Sequence, residues 1–153
     1  MGKKSQRFRA AVAKGRITGT VWSFETARFC VSLRIERDRH YRYDGDDESG
    51  EVQAKLDSGE YIAFDSAVTV ELDGIEIAAD YLGGSVYDRE TVSEFWTGHR
   101  DSDPMNRNCS IMRAARGNCS IGHYFPDMVA SAIAEARAHV AALNPVPYIR
   151  ELA

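Results

Sequence analysis

Apolar and polar positions alternate from Arg28 to Glu36, with Phe29, Val31, Leu33 and Ile35 falling between Arg28, Cys30, Ser32, Arg34 and Glu36. Period two over this length predicts a half-buried strand. The alternation stops at Asp44-Gly-Asp-Asp-Glu-Ser-Gly50, leaves room for one or two helical turns at Glu51–Asp57, and resumes after Gly59. Ile62, Phe64, Val68, Val70 and Leu72 then share one face of a second strand. Asp73-Gly74 follows at once and is the strongest short signal for a hairpin. A two-residue turn there pairs Leu72 with Ile75, Val70 with Ile77 and Val68 with Ala79. Every pair is apolar, so pattern and turn predict the same register.

Gly83-Gly84 reads as the end of the third strand, and Asp88 is placed to cap a short helix whose Val92, Phe95 and Trp96 lie on one side until Gly98. From Gly98 to His123 neither period holds. Pro126 suits a first helical turn, and Val129, Ala132, Ile133, Ala136, Val140 and Leu143 form the stripe of a long helix that Asn144-Pro145 ends. The order predicts an α+β fold: an antiparallel sheet of at least three strands with one long C-terminal helix and one short helix on one face. Residues 1–16 read as a basic N-terminal arm or short first helix, and residues 17–153 as a single α+β domain.

Composition adds a class and a compartment. With 44% apolar and 27% charged residues in 153, the chain has the make-up of an ordinary globular domain with one core. Met1–Ala13 has no apolar run behind its charges and so lacks the core of a secretory signal. No stretch approaches the ~20 apolar residues of a membrane span. A cytoplasmic protein is expected. Cys30, Cys109 and Cys119 are odd in number and too sparse for a disulfide framework, which predicts free thiols.

Charge is the least even feature. Residues 1–42 carry eleven Lys/Arg against three Asp/Glu, residues 43–80 one against twelve, and residues 81–153 seven against eight. In the predicted register Glu71 sits opposite Glu76, with Asp73 at the turn and Asp65 and Asp80 further along the same face. Like charges opposite one another destabilise a hairpin, so the cluster suggests an acidic surface for a basic partner or a mimic of nucleic-acid phosphates. The competing reading pairs these carboxylates with Arg28 and Arg34 on the outward face of the first strand. Asp44, Asp46, Asp47 and Glu48 extend the acidic set. They do not form a standard calcium loop, because its sixth and twelfth positions would be Ser49 and Lys55.

Between Gly98 and His123 lie His99, Cys109, Cys119 and His123, a formal Cys2His2 set. Structural zinc sites bring cysteines two to four residues apart, whereas nine separate these two. No metal or cofactor is therefore expected. The same segment holds Arg100, Arg107, Arg113 and Arg116, which could read phosphates or carboxylates, unless the segment is a solvated Ω-loop or hides a short helix over Ser110–Arg116. For catalysis only Cys119 with His123 could be nominated, without an orienting group or oxyanion hole, so no enzyme is expected.

Trp22-Ser-Phe-Glu-Thr-Ala-Arg-Phe29, Ala79-Asp-Tyr-Leu-Gly-Gly84, Pro104-Met-Asn-Arg-Asn-Cys-Ser-Ile-Met112 and His123-Tyr-Phe-Pro-Asp-Met-Val129 together resemble a group of small proteins of phages, prophages and plasmids of alphaproteobacterial type. Asp80-Tyr-Leu-Gly-Gly84 is also similar to the Tyr-x-Gly-Gly segment of plasmid antirestriction proteins. The resemblance implies an accessory protein of a mobile element. The expected function is stoichiometric inhibition of a host defence complex, of anti-CRISPR or antirestriction type. The partner surface would be Asp44, Asp46, Asp47, Glu48, Asp65, Glu71, Asp73, Glu76 and Asp80. Such a protein would bind a host protein or nucleoprotein and no free nucleic acid. The alternative is a nucleic-acid-binding module using the basic arm and the four arginines, with zinc as an option.

Overall fold

The segment Phe29–Arg37 is the second strand, not the first, of a four-stranded antiparallel sheet whose strands lie in chain order. The computed structural model describes residues 18–97, 109–119 and 124–143. The basic arm, Gly98, His99, Arg100, Arg107, His123 and Asn144-Pro145 lie outside the described residues. The strands are β1 (Thr18–Glu25), β2 (Phe29–Arg37), β3 (Tyr61–Leu72) and β4 (Ile75–Asp88).

Extra residues inside strands explain where simple alternation fails. On β1, Thr20 pairs with Arg34 but Trp22 pairs with Leu33, so Val21 is an added residue. Val21 and Trp22 both reach the core. Two adjacent core residues break period two, which hides β1 from a pattern search. β4 has 14 residues against the 12 of β3, and its two extras account for both breaks in their register. One is Ile77: Glu71 still opposes Glu76, but Val70 pairs with Ala78 and Val68 with Asp80. The simple hairpin register therefore holds for Leu72–Ile75 and Glu71–Glu76 and is corrected beyond them. The other break lies at Gly83-Gly84, two residues opposite Asp65, so the glycines bulge the strand rather than end it. Gly84 has φ 67°, and its N–H donates to Asp65 Oδ1 at 3.0 Å.

Four helices follow the strand logic: α1 (Glu51–Ser58), α2 (Glu94–Thr97), α3 (Ile111–Ala115) and α4 (Tyr124–Leu143). Asp88 remains in β4, and its carboxylate accepts from Glu90 N–H at 2.7 Å in the turn toward α2. Val31, Leu33 and Ile35 of β2 and Ile62, Phe64, Val68 and Val70 of β3 form one buried cluster with Val92, Phe95, Trp96, Ile111 and the inner face of α4. That face starts earlier than the predicted stripe: Phe125 and Met128 join Val129, Ala132 and Ala136 in the core. At the other end the stripe loses its cover, with Ile133 and Val140 half-buried and Leu143 65% exposed. Phe125 meets Trp22 edge to face at 5.1 Å and stacks on Phe95 at 6.0 Å, tying β1, α4 and α2 together.

Cys109 and Cys119 are joined as a disulfide, with Cα atoms 5.9 Å apart, and Cys30 is the free cysteine. This corrects the expectation of free thiols at 109 and 119. The bridge spans one short helix, so ten residues of sequence bring the two Cα atoms within bonding range.

Candidate functional site: the open face of the sheet

α2, α3 and α4 share the core on one side of the sheet. On the opposite side Cys30, Ser32, Arg34 and Glu36 of β2, with Asp65, Ala67, Thr69 and Glu71 of β3, are exposed or half-buried. One cross-strand row on this face runs Glu25, Cys30, Glu71, Glu76, one residue from each strand. Neighbouring strands lie about 4.8 Å apart, so three carboxylates crowd into a span of roughly 14 Å. Cys30 senses two of them. Its thiol is pushed up by burial first, then by the charges of Glu25 and Glu71, and its Sγ lies 4.0 Å from Glu25 Oε1.

Glu25 was absent from the sequence-derived set because β1 was hidden by its bulge. The signal that could have found it is the tight link Thr26-Ala27-Arg28, where Thr26 Oγ1 accepts from Phe29 N–H at 3.1 Å and folds Glu25 back beside Cys30.

The other predicted carboxylates divide by task. Asp73, at φ 51° in the turn, accepts from Arg28, whose Nε lies 3.1 and 3.2 Å from its two oxygens. That pair realises the compensating reading for one residue of the cluster. Asp65 holds the Gly84 bulge. Asp47 accepts from Val52 N–H at 3.1 Å and Gln53 N–H at 3.0 Å, so it satisfies the first turn of α1. Asp44 lies near the Tyr41 hydroxyl, whose pKa is raised by burial first and then by the Asp44 charge. Asp80 leaves the acidic face altogether: beyond Ile77 the strand's facing reverses, and Asp80 is paired with the core residue Val68. Asp46 and Glu48 are exposed in the loop before α1.

The acidic surface is thus two patches rather than one. The loop and α1 lie at the far end of the open face, where Tyr41 stands against Gly84 and Lys55 Nζ lies 5.0 Å from the Tyr61 ring centroid. Asp65 and Glu71 are six residues apart on β3, roughly 20 Å. Between the patches lie Ser32 and Thr69, which share a hydroxyl hydrogen bond of 3.0 Å, and the row Arg34, Ala67, Tyr81, which sets an exposed cation and an exposed ring between the two acidic groups.

The remaining candidates move apart. Arg113 lies on α3 and Arg116 caps its end, both exposed, so the short-helix reading of Ser110–Arg116 holds. Cys119 is bonded to Cys109, which withdraws both sulfurs from a zinc set and Cys119 from any thiolate pair with His123. Among the described residues no group of three or more His, Cys, Asp or Glu is placed to hold a metal ion, and no helix is long and apolar enough to cross a membrane. Comparison with protein-family models, curated proteins and solved structures finds no match to this chain.

Proposed function

We propose that this protein acts by stoichiometric binding, as a non-enzymatic inhibitor of a host defence complex that handles nucleic acid, and that it docks through the hairpin end of its open sheet face. The observation that carries this reading is the row Glu25, Cys30, Glu71, Glu76, in which three carboxylates share one edge-to-edge line. A line of negative charge across four paired strands suits a groove built for a phosphate backbone. A mobile-element origin, taken from the resemblance read in residues 22–29, 79–84, 104–112 and 123–129, is part of this proposal and is the reason for naming a defence complex inside the host cell as the target.

The test is the efficiency of plaquing in a host with an active CRISPR or restriction system. Expression of the chain is expected to raise plaque counts at least tenfold. The Glu25→Gln/Glu71→Gln/Glu76→Gln variant, melting like the parent, is expected to lose that gain. A triple variant that protects phage as well as the parent removes the acidic row from the mechanism.

A further inference from the structure

The helix α3 has five residues, Ile111–Ala115, and a helix shorter than ~12–15 residues is marginal in water without outside support. Its support is local and specific. Ser110 Oγ accepts from Arg113 N–H at 3.2 Å, Ile111 is buried, and the Cys109–Cys119 bridge closes a ring from before the helix to beyond its Gly117 turn, where φ is 76°. The two sulfur-bearing residues differ in access. Cys109 is 4% exposed and belongs to the core, whereas Cys119 is half-buried at its margin. Cys30 lies on a different element, β2, on the open face.

We propose that Cys109 and Cys119 form a redox clasp entered through Cys119: oxidised, it locks α3 onto α4; reduced, it frees α3 while the sheet stays folded. On closing, the Cys119 thiolate attacks an external disulfide such as glutathione disulfide, leaving a mixed disulfide on Cys119 and releasing one glutathione thiolate. The Cys109 thiolate then attacks the Cys119 sulfur and releases the second. Two cysteine thiols give up two protons and two electrons, and the external disulfide takes up both as two thiols. Opening reverses the order, with an external thiolate attacking at Cys119 because the Cys109 sulfur is covered. Cys30 stays out of the exchange, since burial and the charges of Glu25 and Glu71 disfavour its thiolate. Reversibility fits the proposed site of action, because disulfides in a reducing cytoplasm are typically transient or redox-sensing.

The experiment uses the full chain. Alkylation in denaturant without reductant, which exposes every free thiol and leaves a disulfide intact, is expected to label Cys30 alone when read by mass spectrometry. On reduction, the amides of Ile111–Ala115 are expected to exchange at least tenfold faster while those of β2 and β3 keep their protection, and the melting temperature is expected to fall by about 5–10 °C. Cys109→Ala incubated with glutathione disulfide should carry a glutathione adduct on Cys119, and Cys119→Ala should carry none on Cys109. The clasp is overturned if all three cysteines label in oxidising buffer, or if reduction leaves α3 exchange unchanged. An adduct on Cys109 in Cys119→Ala overturns entry through Cys119. Because the first two measurements use the unaltered sequence, a poorly folding variant cannot obscure the outcome.

Discussion

Glu71 and Glu76 stand directly opposite each other on β3 and β4, one pair beyond the Leu72–Ile75 pair that flanks the turn. Immediately past them Ile77 is inserted without a partner, and the register shifts so that Val70 meets Ala78. The bulge has a packing consequence: it turns Ala78 into the core and leaves Ile77 half-buried. It also separates the repelling pair from the well-packed part of the hairpin, so the cost of like charges falls where the ladder is already interrupted.

That cost is measurable. Glu76→Gln keeps the shape and removes one of the two charges, and is expected to stabilise the protein by about 0.2–1 kcal/mol at low salt, raising the melting temperature by roughly 1–3 °C. In 1 M salt the screening length falls to about 3 Å, and the gain should shrink. Equal melting at low salt would mean that the carboxylates splay apart and do not concentrate charge on the open face.

The Gly83-Gly84 bulge makes an asymmetric prediction. A Cβ at Gly84 would meet Tyr41 Cε2 at 3.2 Å with φ at 67°, whereas a Cβ at Gly83 would meet only Asp65 Oδ1 at 3.4 Å. Gly84→Ala is therefore expected to cost about 1–2 kcal/mol in a urea titration, and Gly83→Ala clearly less. Equal costs would contradict the assigned bulge and return the glycines to a simple strand end.

How far the chain could be read depended on whether neighbours in sequence carried the structural signal. Asp73-Gly74 and the run Phe29–Ile35 did, because a tight turn and an unbroken alternation are local. Each failure involves a residue whose role is set from elsewhere. Val21 and Ile77 are ordinary strand formers that became bulges because the partner strand supplies no residue opposite them at that point. Asp80 followed Ile77 to the other face. Asp47 resembled its acidic neighbours, and only the return of α1 onto it makes it a helix-terminus acceptor. The acidic candidate site was half legible for the same reason: Glu71 and Glu76 came with the hairpin, while Glu25 required β1.

Phe125 is the strongest test of the core. It is fully buried, touches rings from β1 and α2, and sits just ahead of the proline that marks the helix start. Phe125→Ala is expected to cost about 3–5 kcal/mol, enough to unfold a marginal domain. Leu143→Ala, at the exposed end of the same helix, should stay within about 0.5 kcal/mol. Denaturant titrations that reverse this order would place α4 in a different rotation.

Asp73 links stability to pH. Hydrogen bonds from Arg28 hold its carboxyl below the ordinary aspartate value, with desolvation opposing and the Arg28 charge reinforcing the shift. A depressed folded-state pKa gives stability that is complete above the unfolded value and is lost as pH falls through the folded one. Asn tolerates the positive φ of this turn, so Asp73→Asn removes the charge without removing the turn. The stability difference between parent and variant should be constant above about pH 5 and close as pH falls below about 4. A difference that persists to pH 2 would mean that the ion pair contributes nothing.

Free nucleic acid separates the two surfaces of the molecule. Arg113 and Arg116 expose their side chains at α3, while the hairpin end of the sheet presents Glu25, Glu71 and Glu76. Binding through phosphate contacts releases counterions, so each contact adds about 0.9 to the slope of log affinity against log salt on duplex DNA. The acidic row repels phosphates and gains nothing from them. The chain is therefore expected to show no measurable binding to duplex or single strands at physiological salt by fluorescence anisotropy. Tight binding that falls steeply with salt and disappears in Arg113→Ala/Arg116→Ala would make α3 the working surface. The carboxylate row would then serve to set the orientation of the bound strand by repulsion, and the Gln variant of Glu25, Glu71 and Glu76 would bind nucleic acid more tightly than the parent.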